Sequence, residues 1–205
     1  MSKLISKSTP SSTRSLATTP SSPLIISNGR LQLARFVRSP NFNERPKGEN
    51  DIDLLVIHNV SLPPEQFGGN YIERFFCNQL DVNAHPYFTT IADLQVSAHL
   101  LINREGEIIQ FVPFGARAWH AGRSCFRTRE ECNDYSIGIE LEGADTIAFT
   151  DNQYRVLVDV TRALMRDYPR IINTRIVGHS EIAPTRKTDP GEAFDWPRYL
   201  KLLES

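Results

Sequence analysis

Cysteine is scarce in this chain of 205 residues. The three present (Cys77, Cys125 and Cys132) are too few, and odd in number, to frame a small fold with disulfides. No apolar run approaches the roughly 18 residues that a membrane-spanning helix needs, so no membrane partner is expected. A basic excess is missing too. The formal net charge is −1, which argues against a general nucleic-acid binder. Acidic residues are absent from the first 43 positions, the first being Glu44. Residues 1–49 carry eight Lys or Arg against two Glu, and residues 50–205 carry fifteen against twenty-two, so the near-neutral sum joins a basic front to an acidic body. At this length the expectation is one domain with an appendage, able to bury roughly 70% of its unfolded surface without a metal or disulfide to hold the fold.

The front is a segment of its own. Residues 1–23 hold twelve Ser or Thr and three Pro. So few large apolar side chains do not offset the entropy of ordering, and residues 1–28 read as a disordered extension ahead of a domain at 29–205. Its longest apolar run, Leu24-Ile25-Ile26, is shorter than the ~7 residues of a secretory core, and its basic residues are sparse for an organellar transit peptide. A reduced, cytoplasmic, monomeric protein is therefore expected.

Beyond Gly29 the pattern is that of a packed α/β domain. Asp53 to His58 is an almost wholly apolar run, as in a central strand buried on both faces. A helix is expected over 70–79, with Tyr71, Phe75 and Phe76 on one face. Residues 96–102 and 107–112 flank Arg104-Glu105-Gly106 as a β-hairpin. In the strand over 135–141, Ile137, Ile139 and Leu141 alternate with Gly138 and Glu140. A helix over 151–168 opens on a Thr150/Gln153 capping box and ends before Pro169. A short strand at 175–177 and a last helix from about residue 194 complete a mixed central sheet flanked by helices. Pro184, Pro190 and Gly191 suggest that 178–191 is a rigid loop with no helix in it.

Five histidines are the natural candidates for chemistry: His58, His85, His99, His120 and His179. His58 and His179 each end an apolar strand, where α/β sheets build ligand sites. His99 reads as a satisfied core histidine and His85, before Pro86, as a loop anchor. In GHSEIAPTRKTDPG (178–191), an extended Thr188 would set Lys187 and Asp189 on the same side. His58, His179 and Asp189 make two imidazoles and a carboxylate, a frequent donor set for a catalytic zinc. There is no His-Glu-x-x-His and no Gly-x-Ser-x-Gly, and His179-Ser180-Glu181 lacks the Pro-Cys-x-x-Cys that would complete a zinc deaminase site. The remaining rival is a cysteine hydrolase pairing Cys125 or Cys132 with His120, for which Arg123, Arg127 and Arg129 would supply an electropositive niche near Cys125. Inert thiols are the favoured reading.

The stretches DLLVIHN (53–59), SLPPEQFGG (61–69), NAHPYF (83–88), VSAHLLI (96–102), RAWHAG (117–122), CNDYSIGIELEG (132–143) and GHSEIAPTRKTDPG resemble, in order, the zinc N-acetylmuramoyl-L-alanine amidases, and among them the cytoplasmic anhydromuramyl-L-alanine amidases of the AmpD type. The resemblance implies the amidase fold shared with peptidoglycan recognition proteins. It implies one zinc ion held by His58, His179 and Asp189, with Glu140 as proton acceptor and Lys187 beside the reacting carbonyl. It also implies an anhydromuropeptide substrate cut at its lactyl–L-alanine amide during wall recycling. Asn59, Trp119, His120 and Arg186 are the candidate substrate contacts. Glu131 stands where the family suggests a basic residue, which bears on how the acidic stem peptide is held. A non-catalytic recognition module and an exported autolysin are the alternatives.

Overall fold

A computed structural model describes residues 23–205. The expected extension through residue 22 lies outside the described residues. Its boundary at 28 does not hold, however. Ile26–Ser27 pairs with Arg30–Leu31 in an antiparallel ribbon, and Leu24 and Ile26 pack against the main core, because the apolar run at 24–26 has a surface to cover.

The sheet has six strands: β1 (Arg35–Phe36), β2 (Leu54–Val60), β3 (Leu100–Ile102), β4 (Ile108–Gln110), β5 (Ser136–Glu142) and β6 (Ile176–Gly178). They run in the spatial order β6-β2-β5-β3-β4-β1. Every pairing is parallel except the β3–β4 hairpin, which turns through Gly106 at φ 89°. The mixed sheet is as expected. The hairpin strands are shorter than their patterns suggest, since residues 96–98 leave the ladder and the Ser97 N–H goes to the Trp119 carbonyl.

Four α-helices accompany the sheet among the described residues: α1 (Tyr71–Phe76), α2 (Asp151–Asp167), α3 (His179–Ile182) and α4 (Trp196–Glu204). α1 stops short of residue 79 because Asn78 turns left-handed, at φ 56°. α3 is a correction: the segment after β6 makes one helical turn before its prolines, capped where the Glu181 carboxylate accepts the Gly178 N–H at 2.9 Å.

Strand alternation divides the interior in two. Leu55 and Ile57 of β2, with Ile137, Ile139 and Leu141 of β5, face Leu157, Val160 and Leu164 of α2 and Tyr199 of α4. Leu54 and Val56 face the other way, toward Ala121, Cys132 and Ile182. A third cluster joins α1, through Ile72, Phe75 and Phe76, to Phe88, Leu101 and Phe111. His99 is fully buried at the junction, where its Nδ1 accepts the Gly138 N–H at 3.0 Å and its Nε2 lies 3.2 Å from the Ala116 carbonyl. It is the satisfied core residue expected, and His85 likewise anchors its loop by accepting the Tyr87 N–H.

Two outcomes follow. Thr150 accepts the Gln153 N–H at 3.1 Å while Gln153 caps Thr150 in return. Thr150→Ala should cost about 1 kcal/mol, read as a lower urea midpoint at unchanged slope. Burial holds His99 well below its ordinary 6.5, so it contributes stability above that pH which is lost as pH falls toward its folded value. The unfolding free energy should drop by up to about 1.4 kcal/mol per pH unit for this one proton, and a folded His99→Gln variant should show a shallower acid limb.

Candidate active site

The parallel pairing of β2 and β5 sets Glu140 opposite His58 on the face turned away from α2. One strand over, β6 pairs Gly178 with Ile57, so the next residue, His179, comes off the strand end beside them as the first residue of α3. Asp189 returns to the same place because Ser180 N–H bonds its carbonyl at 2.9 Å. The left-handed Gly191, at φ 80°, lies so close to Asp145 that a side chain there would overlap the Asp145 backbone. The centre thus occupies the carboxyl ends of three parallel strands, the usual place for a ligand site in such sheets.

His58 Nδ1, His179 Nδ1 and Asp189 Oδ2 form a triangle with all three edges at 3.0 Å. Tetrahedral zinc donors stand about 3.3–3.4 Å apart when each bond is near 2.0–2.1 Å, so the triangle is slightly tight but of the right size and donor type. A second observation favours a cation. His179 Nε2 lies 3.0 Å from the Ala121 carbonyl, which only accepts, so in the neutral ring Nδ1 meets the Asp189 carboxylate as a bare lone pair. Two acceptors facing each other without a proton between them repel, and a shared metal ion removes that repulsion.

The titrating groups differ sharply. Burial pushes His58 down to about 4 despite the opposing pull of Asp189, and burial and then the neighbouring His58 hold His120 well below its usual range. Burial works to raise Asp189, yet His179 and His58, which would bond it once protonated at Nδ1, hold it below the ordinary carboxylate range. Glu140 goes the opposite way, raised well above 4.5 by burial and then by the Asp189 charge, with Lys187 opposing. Its Oε2 is sealed from solvent and has no hydrogen-bond partner. Two nearby carboxylates pushed apart in this way suit two different tasks.

A cleft of about 340 Å³ opens over the centre. His58, Asn59, His120, Glu140, His179, Lys187 and Asp189 line its polar side, and Phe75, Tyr87, Ile91 and Leu94 form an apolar wall. Asn59 donates its amide N–H to Asp145 at 2.7 Å, which leaves its carbonyl oxygen as the group to offer a ligand.

The other expected contacts are placed differently. Trp119 does not line the cleft; its indole N–H donates to Asn43 at 2.8 Å. Arg186 donates to the Ala121 and Arg123 carbonyls and lines a separate cavity with Arg123 and Cys125. Both His120 nitrogens are engaged inside the protein, with His58 and Ser136, so neither is free for a ligand. Each of these side chains found a long-range partner that local pattern does not reveal. Glu131 sits away from the cleft beside Arg117, 3.6 Å off.

The cysteine alternative loses its geometry. All three thiols are free, but His120 pairs with none of them. Cys132 is buried against the Tyr135 hydroxyl, and burial pushes its pKa up, away from the thiolate a nucleophile needs. Asn133 and Ser136, which organise the ground beneath the site, escaped sequence reasoning.

Residues 48–192 match the family model described as N-acetylmuramoyl-L-alanine amidase. Over 180 residues the chain is 56% identical to the 1,6-anhydro-N-acetylmuramyl-L-alanine amidase AmpD of Citrobacter freundii, covering 88% of this chain and 95% of that one. A crystal structure of a selenomethionine AmpD derivative superposes with a TM-score of 0.85 at 54% identity, covering 88% of this chain and 99% of the other. The amidase AmiD of E. coli, solved in complex with the substrate anhydro-N-acetylmuramic acid-L-Ala-D-gamma-Glu-L-Lys, superposes at 0.55 with 30% identity over 74% of this chain and 57% of its own. By family match, identity and shared fold, the chain belongs to the N-acetylmuramoyl-L-alanine amidases, on their AmpD-type branch.

Proposed function

We propose that this chain hydrolyses the amide between the lactyl group of 1,6-anhydro-N-acetylmuramic acid and L-alanine in soluble muropeptides, as a zinc enzyme of cytosolic peptidoglycan recycling. The observation that carries the reading is the His58–His179–Asp189 triangle sharing one cleft with Glu140 and Lys187, in a chain so similar to AmpD. The apolar wall and polar centre suit a ligand with a sugar ring on one side and a peptide on the other. Among the described residues no helix is long and apolar enough to cross a membrane.

His58, His179 and Asp189 would hold the zinc, which when bound supplies a Lewis acid that brings the pKa of water to near neutrality. Glu140, beside His58 by strand register and part of the cleft lining, would take the proton of the attacking water and deliver it to the leaving L-alanine amine. Its raised affinity for protons suits the second half of that task, and a nearby cation would draw it back toward ionisation. Lys187, which lines the cleft, would donate to the oxyanion that forms as the amide carbonyl becomes tetrahedral. The Asn59 carbonyl oxygen is available to a substrate N–H, and α1 with residues 87–94 shields the reacting bond from bulk water.

Purified protein should release stem peptide from a soluble anhydromuropeptide and little from intact wall; release from wall alone would point to an autolysin and sink the recycling assignment. His179→Ala should abolish zinc binding and turnover together. Glu140→Ala should keep its zinc and lose about 10²–10⁴ in kcat, and Lys187→Ala about 10²–10³. Wild-type protein that binds zinc no better than His179→Ala would refute the metal reading. Cys125→Ser and Cys132→Ser, checked for folding by circular dichroism, should stay active.

A further inference from the structure

The second nitrogens of the two central imidazoles both meet one short segment, His120-Ala121. For His179 the partner is the Ala121 carbonyl, which fixes its proton on Nε2. For His58 the partner is another imidazole, His120 Nδ1, at 2.9 Å, and a ring nitrogen can donate or accept. The choice is made two hydrogen bonds away. Ser136 Oγ lies 2.6 Å from the Cys132 carbonyl, which only accepts, so the single hydroxyl proton of Ser136 goes there. Ser136 Oγ then accepts from His120 Nε2 at 3.2 Å. In neutral His120 that leaves Nδ1 as a lone pair, able only to accept the proton on His58 Nε2. His58 Nδ1 is thereby bare, on the side facing His179 and Asp189.

The surrounding structure holds this chain of bonds in place. The His120 and Ala121 N–H groups both donate to Asn133 Oδ1, at 3.1 and 2.8 Å. Arg45, itself buried, reaches the Asn133, Asp134 and Ser136 carbonyls from behind. On β5 the residue beneath the His120 ring is Gly138, where an added Cβ would stand 2.4 Å from His120 Cγ. A side chain at that strand position would expel the ring, so the glycine serves this close approach.

We propose that His120 and Ser136 are positioning residues that lock His58 in the Nε2–H tautomer, so that its Nδ1 is always presented as a metal donor. This role replaces the substrate contact expected of His120 and rests on the zinc reading above. Groups that orient a ligand histidine in this way typically change metal affinity about 10–100-fold when removed.

The test combines zinc affinity, by chelator competition, with ring-nitrogen NMR of the zinc-free chain. Wild type should show His58 protonated at Nε2. Ser136→Ala should bind zinc about 10-fold more weakly and show mixed His58 tautomers, and His120→Ala should lose up to about 100-fold. His120→Asn, whose amide oxygen replaces Nδ1 as an acceptor without help from Ser136, should regain most of that loss. Ser136→Ala should then cost nothing further in the His120→Asn background, whereas a packing role would cost the same in both. Equal costs in both backgrounds, or Ser136→Ala with wild-type zinc affinity, would overturn the proposal. Should the His120 variants fail to fold, Ser136→Ala, which removes one buried oxygen, decides alone. Wild-type protein without zinc affinity would refute the metal reading, and the lock would then stand or fall on the His58 tautomer, with Nδ1–H overturning it.

Discussion

Parallel pairing of Leu54–Val60 with Ser136–Glu142 brings His58 level with Glu140, and each of the other site groups takes its position from that register. A slip of one residue on either strand would turn its polar member into the α2 core and bring an Ile or Leu to the cleft. The slip is prevented by the same alternation that makes the core. Leu55, Ile57, Ile137, Ile139 and Leu141 are almost completely buried against α2 and α4. Core packing and catalytic geometry are consequently two faces of one set of strand contacts.

Charge is handled at both ends of these strands. At the entry to β2, Asp53 meets Arg175 at 2.6 Å, Arg170 at 2.9 Å and Arg129 at 3.7 Å, a cluster remote from the cleft that ties three segments together. At the exit, the carboxylates of Asp189 and Glu140 stand near each other in little water, so one is held ionised by two histidines and the other is driven toward its neutral form.

Much of this was legible locally. The strand at 54–60 showed in its unbroken apolar run, that at 136–142 in its alternation, and α2 in its capping box and period. His58 and His179 stood out because each ends an apolar run, and Lys187 and Asp189 because two residues of extended chain put them on one side. The short helical turn of α3 was hidden by the prolines that follow it, since its cap depends on a Glu181 contact back to Gly178. Trp119, His120 and Arg186 share the right neighbourhood in sequence. Their partners, Asn43 for Trp119, His58 and Ser136 for His120, and Ala121 for Arg186, lie mostly far away in the chain, up to 76 residues off. Glu140 was half-legible: alternation gave its face, while its role needed the family resemblance.

His58 is separated from His179 by 121 residues and from Asp189 by 131. In an unfolded chain these donors are far apart, and only the finished sheet gathers them. An ion held by all three therefore binds the folded form almost exclusively and draws the folding equilibrium toward it by RT ln(1 + [L]/Kd). Such an ion would add to the stability of a fold that does not need it, so its supply would bear on folding as well as on activity.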